Sequence, residues 1–203
     1  MSSSWRGRLL LLFLLVWIAG FCIYFFWPET VVRHPPGILV AEEPVQRPTT
    51  ATGWESRGYH FTPLAEFEAT AVILHLKRYH SGRESDLSPV DLALGWGPMS
   101  DQSIIDRLEI SQSGRWYEYK AKVLPLPHKV ISSSSSNMHM IPADNEVEDM
   151  LDGLHQGDLI WFSGYLVEIK ASDGWRWRSS LSRTDEGNGA CELVWVKRMK
   201  REE

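Results

Sequence analysis

The chain has 203 residues, of which 43% are hydrophobic and 23% charged, with 26 acidic against 21 basic side chains. This composition excludes a disordered acidic tail and a collagen-like repeat, and two cysteines are too few for a disulfide-stapled miniprotein. Setting aside the first 52 residues leaves about 150, enough for one domain with a core but hardly for two.

Residues 1–8 read as a short cytoplasmic N-terminus carrying Arg6 and Arg8. Residues 9–27 follow, nineteen positions without a charge. As a helix they span about 28 Å, close to the hydrocarbon thickness of a bilayer. Tyr24, Phe25, Phe26 and Trp27 cluster at the far end, where amphipathic rings favour the headgroup level, and Pro28 stops the helix. A cleaved signal peptide has a shorter apolar region ending in small residues, so an uncleaved transmembrane anchor is the expected reading. Basic residues lie on the short side, which puts the N-terminus in the cytoplasm and the rest outside a bacterial inner (plasma) membrane. Residues 28–52 hold five of the eleven prolines and read as a semi-rigid, proline-rich linker.

Residues 53–203 read as a soluble β-rich domain. Phe67 to Leu76 predicts a long buried strand, and the run from Asp91 to Trp96 a shorter one. Ser100 or Asp101 can cap a helix through Ile104, Ile105 and Leu108. Gly114 turns the chain into a segment from Trp116 to Val123. A second helix is expected after Pro142, with Val147, Met150, Leu151 and Leu154 on one face and Gly153 near its end. Leu159 to Lys170 is the clearest strand pattern, with Gly164 at its middle as a bulge or bend. Ser172-Asp173-Gly174 signals a hairpin, from which Trp175 to Leu181 returns. Cys191 to Val196 predicts the last strand, and Lys197 to Arg201 a solvated tail. The expected fold class is α+β: a small curved OB-like β-barrel with short inserted helices, preceded by one transmembrane helix.

Four segments resemble a family of bacterial single-pass membrane proteins: Asp91-Leu-Ala-Leu-Gly-Trp-Gly-Pro-Met-Ser-Asp101, Asn137-Met-His-Met-Ile-Pro-Ala143, Gly174-Trp-Arg-Trp-Arg-Ser-Ser-Leu181 and Gly189-Ala-Cys-Glu192. The resemblance runs from about Phe61 to Val196 and implies a coherent domain without implying an activity. A second resemblance is one of layout. Anchor, barrel, His139, Gly157-Asp158, Cys191 and Arg198 follow one another as the corresponding parts do in sortases, although Cys191 begins a strand rather than ending one.

Two readings of function stay open. In one, the protein is a non-catalytic binding or accessory module that contacts an envelope protein or glycan through Trp96, Trp175, Trp177, Arg176 and Arg178. Tryptophan alternating with arginine suits stacking on sugars or bases, and equally a half-buried strand whose outer face is basic, the structural reading being the favoured one. Trp161 and Trp195, inside apolar strands, are expected in the core. In the other, Cys191 is a thiol nucleophile and His139 its base, with Asn137 orienting the imidazole and Arg183 holding an oxyanion or carboxylate, as a transpeptidase or hydrolase requires. No histidine or cysteine pair has metal-ligand spacing, no nucleotide loop is complete, and no cofactor is expected. From Gly53 onward 17 Lys and Arg face 23 Asp and Glu, a balance that argues against nucleic acid.

Overall fold

The apolar stretch near the N-terminus forms α1, Ser3–Phe26. The computed structural model describes residues 3–26, 30–182 and 191–202 and, within α1, the side chains of Trp5, residues 8–18, Gly20 and Phe21. Leucine, valine, isoleucine and aromatic side chains without an intervening proline sustain this helix, and the apolar ones described are exposed, Phe13 at 78% and Trp17 at 69%. Among the described residues, no helix is long and apolar enough to cross a membrane. The chain divides into two units, Met1–Thr30 and Val31–Glu203.

The second unit is a mixed α+β fold dominated by strands. In chain order these are β1 (Val45–Arg47), β2 (Trp54–Ser56), β3 (Tyr59–Arg78), β4 (Val90–Gly95), β5 (Glu109–Ser113), β6 (Trp116–Lys120), β7 (Ser135–Pro142), β8 (Leu159–Ala171), β9 (Arg176–Arg178) and β10 (Glu192–Arg201). The helices between them are short: α2 (Arg83–Leu87), α3 (Gln102–Ile105), α4 (His128–Ser133) and α5 (Asn145–Asp152). Asp144 and Asp101 cap α5 and α3 by accepting from the backbone N–H of Val147 and Ser103. α3 ends before Leu108, and the Ser100 hydroxyl instead accepts from the N–H groups of Leu39 and Val40.

β3 is 20 residues long because bulges at Pro63/Ala65 and Ile73/His75 bend it and let it serve two partners. It pairs with β8 over its first two thirds and with β4 over its last third. The pairings then run from β4 to β7, from β7 to β10 in parallel, from β10 to β8, and back to β3. Alternation along these strands sends Val90, Leu92, Leu94, Met138, Met140, Phe162, Val194 and Val196 to one core. Val147, Leu151 and Leu154 of α5 and its exit close that core. The opposite face of β4 and β7 carries Asp91, Asn137 and His139, with β5 and β6 forming a separate hairpin.

Three expectations are corrected. The proline-rich segment is no free spacer over residues 31–47. Val40 is 3% exposed within the core, Val32 bonds Gln156, Gly97 donates to the Val40 carbonyl, and β1 pairs with β3. Prolines remove donors, but the residues between them find backbone partners on the domain. The basic C-terminal residues are not a loose tail either. β10 continues to Arg201 against β8 because Met199 packs on the core while the charged groups of Lys197, Arg198 and Lys200 stand over the rings of Tyr165 and Trp161. Trp161 is accordingly half-buried, its ring N–H donating to Glu68, whereas Trp195 is buried as expected.

Candidate functional site

Antiparallel pairing of β4 with β7 sets Asp91 opposite His139 and Ala93 opposite Asn137. The parallel neighbour β10 starts at Glu192 beside Met138, which brings Cys191 to the level of Asn137. Asn137 Nδ2 lies 3.7 Å from Cys191 Sγ and donates to the Arg115 carbonyl at 3.1 Å. Gln112 Nε2 donates to Asn137 Oδ1 and, through its own Oε1, meets His75 Nδ1 at 2.9 Å.

Arg115 enters from the tip of the β5–β6 hairpin. Gly114 and Arg115 form the two-residue turn with φ of 56° and 66°, the combination that matches the right-handed twist of the flanking strands. An arginine in this left-handed conformation costs about 1 kcal/mol against glycine. Its guanidinium offsets that cost. It donates to Asp91 Oδ1 at 2.7 Å and to the Ser88 carbonyl at 3.0 Å, and its carbon stands 4.2 Å from the Tyr79 ring and 5.4 Å from the Trp177 ring. The Arg115 N–H donates to the Tyr79 hydroxyl. Burial, and then the Asp91 charge, raise the Tyr79 hydroxyl above its ordinary pKa. Asp91 is 0% exposed. His139 Nδ1 approaches Asp91 Oδ1 to 2.9 Å, off the direction of a hydrogen bond, so that His139 Nδ1 and Asp91 Oδ2 are buried without a hydrogen-bond partner among the described residues.

In front of these groups opens a cleft of about 490 Å³ lined by Glu84, Gly114, Arg115, Trp116, His139, Trp177, Arg178 and Cys191. The His139 ring packs 5.0 Å from Trp177. Beside the cleft, the 4% exposed Glu168 of β8 takes Arg176 Nε at 2.6 Å, Arg178 Nη1 at 3.1 Å and Lys170 Nζ at 3.1 Å. Burial alone would raise the Glu168 carboxyl; the hydrogen bonds from Lys170, Arg178 and Arg176 outweigh it and hold the pKa at about 2.

The structure thus brings together Asn137, His139, Cys191, Trp177 and Arg178 from the sequence-derived candidates. Trp96 is a correction. It is 1% exposed and packs in the core, because the N–H groups of Trp96 and Gly97 are held by the Ser134 and Val40 carbonyls and turn the ring inward. Trp175 is half-buried beside Tyr59 and Trp177 with Arg83 over its ring, and Arg176 leans on Glu168. Arg183 lies outside the described residues. Arg198 does not meet Cys191 in the sortase manner: it lies farther along β10 and lines a separate groove with Lys197 and Tyr165. Asp158 likewise serves structure, accepting from the His155 N–H and pairing with Arg201.

Sequence reasoning missed Asp91, Arg115 and Tyr79. The available signal was an aspartate within an otherwise apolar strand and an arginine directly after a turn glycine. Comparison with family models, with curated proteins and with solved structures finds no match for this chain.

Proposed function

We propose that this protein is a membrane-anchored, extracytoplasmic module of the bacterial envelope that binds a glycan or a protein partner without catalysing a reaction. The observation that carries this reading is the cleft on the outer face of β4 and β7. It has tryptophan walls, and the main charge beneath it, Asp91, is already paired with Arg115. The circuit β3–β4–β7–β10–β8, with its one parallel pair and α5 between the third and fourth strands, supports an OB-like barrel. In such barrels the face of the second and third strands, here β4 and β7, is the usual oligosaccharide or oligonucleotide surface. The acidic balance of the domain favours the saccharide. The anchor rests on the nineteen uncharged residues 9–27, on the helical conformation of α1, and on the resemblance to single-pass membrane proteins.

Topology has a direct measurement. A reporter that works only outside the cytoplasm, fused after Glu203, should be active, whereas activity of a strictly cytoplasmic reporter there would sink the anchored, outward-facing reading.

A second reading is favoured by one observation: Cys191 and His139 line the same cleft, with Asp91 at the imidazole Nδ1. A thiol transpeptidase or hydrolase needs such a base and an orienting carboxylate. The two readings separate in one set of variants of the full chain in detergent. If the site binds, retention on an insoluble envelope glycan fraction falls about tenfold on Trp177→Ala and on the more exposed Trp116→Ala, and Cys191→Ser leaves it unchanged. A thiol alkylating reagent then labels Cys191 no faster than free cysteine. If the site is a thiol enzyme, labelling is faster than that and slows on His139→Gln.

A further inference from the structure

We propose that the ligand of this cleft is a saccharide bearing a carboxylate, its ring laid against the tryptophan wall and its acid group held by Arg178. The inference rests on the glycan-binding reading above and names the class of glycan.

The charges around the cleft are unequally matched. Arg115 has its guanidinium committed to Asp91 and to the Ser88 carbonyl. Lys170, Arg176 and Arg178, by contrast, share a single carboxylate, Glu168, and among the described residues none of the three has another ion-pair partner. Glu168 remains ionised throughout the physiological range, since its hydrogen bonds keep the carboxyl at a pKa of about 2. With Glu84, which also lines the cleft, two negative charges face these three positive ones, and the remaining excess is solvent-accessible: the Arg176 and Arg178 side chains are 55% and 47% exposed. Of these cations, Arg178 is the one that lines the cleft.

The geometry of β9 joins this excess to an aromatic surface. Trp177 stands between Arg176 and Arg178, and its ring is half-buried against His139 and Trp175 at the cleft wall. Trp116, 38% exposed, supplies a second aromatic wall. A pyranose presents a C–H face that packs on an indole, while a carboxylate at its edge lies within reach of a planar guanidinium fork. Arg178 spends Nη1 on Glu168, and no partner is described for its remaining N–H groups. The domain as a whole is acidic, so it does not gather polyanions by its general field, and recognition of an acidic sugar has to come from this local excess.

The test uses calorimetric titration of the full chain in neutral detergent with an oligogalacturonate and with its methyl ester, which keeps the ring and removes the charge. The acid should bind about tenfold or more tightly than the ester. Arg178→Gln should bring the two affinities together, and Arg178→Lys should restore part of the difference. Lys170 and Arg176 still neutralise Glu168 in these variants, and an unchanged unfolding midpoint checks that the fold is intact. Equal affinity for acid and ester in the unaltered protein overturns the inference, as does an acid preference that survives Arg178→Gln. If neither probe binds while the envelope glycan fraction still retains the protein, the acidic class is wrong and glycan binding stands. If that retention is absent too, the reading beneath it fails as well.

Discussion

Arg115→Ala should destabilise the second unit by about 3–5 kcal/mol, measured by urea denaturation of the full chain in detergent. The reason lies in the asymmetry of the pair. Asp91 is 0% exposed and Arg115 retains 16% of its side-chain exposure, so removing the arginine strands a carboxylate that water cannot reach. His139 Nδ1, at 2.9 Å and poorly aligned, and the Tyr79 hydroxyl remain near it. The alanine also loses the contacts with Tyr79, Trp177 and the Ser88 carbonyl. Arg115→Gly separates the backbone from the side chain: with φ at 66°, glycine should recover about 1 kcal/mol relative to alanine. The double variant Asp91→Leu/Arg115→Met should recover more, because a buried pair replaced by apolar groups leaves no orphan charge. A loss below about 0.5 kcal/mol for Arg115→Ala, within the ordinary range of surface substitutions, would show that the hairpin tip does not latch the β4–β7 face.

Gly164→Ala should cost about 3 kcal/mol and weaken amide-exchange protection along β10 first. A Cβ at this position would stand 1.9 Å from the Trp195 carbonyl oxygen and 2.9 Å from its carbon, both backbone atoms of the neighbouring strand. β10 carries its bulge between Val196 and Arg198, with Val196 opposite Gly164, so the two strands approach most closely where the sheet coils. A side chain at the interior of that approach has to push a whole strand, which places the cost at the upper end of overpacking. Gly174→Ala is the control. It has φ of 90° and nothing within 4 Å, so it should cost only the backbone strain, about 1 kcal/mol. Equal losses for the two variants would refute the close-approach account.

Much of the fold was legible because it depends on spacing along the chain. Val147, Met150, Leu151 and Leu154 share one side of a helix whatever surrounds them, and the structure forms α5 over Asn145–Asp152 with Gly153 at its end. Leu159 to Lys170 alternates as a strand must, and β8 runs Leu159–Ala171 into the turn that Ser172-Asp173-Gly174 announces. β3 was legible only at its centre. Its outer parts carry Tyr59, His60, Lys77 and Arg78, and they are held extended by β2, β4 and β8 rather than by their own pattern. Lys197 to Arg201 reads as soluble for the same reason: a charged edge looks like a tail until its partner strand is present.

The amino-acid sequence by itself determined the helical N-terminal segment, the strand-rich α+β class and the local positions of Cys191 and Trp177, since each follows from residue type and periodicity. Only the tertiary structure decided that Asp91, Arg115, Asn137, His139 and Cys191 meet, and that Trp96 does not join them. Those five residues come from β4, a hairpin tip, β7 and the start of β10, and their proximity is set by pairing register. Register is a collective property of the packed sheet: a shift of one residue would turn Asp91 and His139 into the apolar core, and the cost of burying their charge there selects the pairing that keeps them on the cleft face.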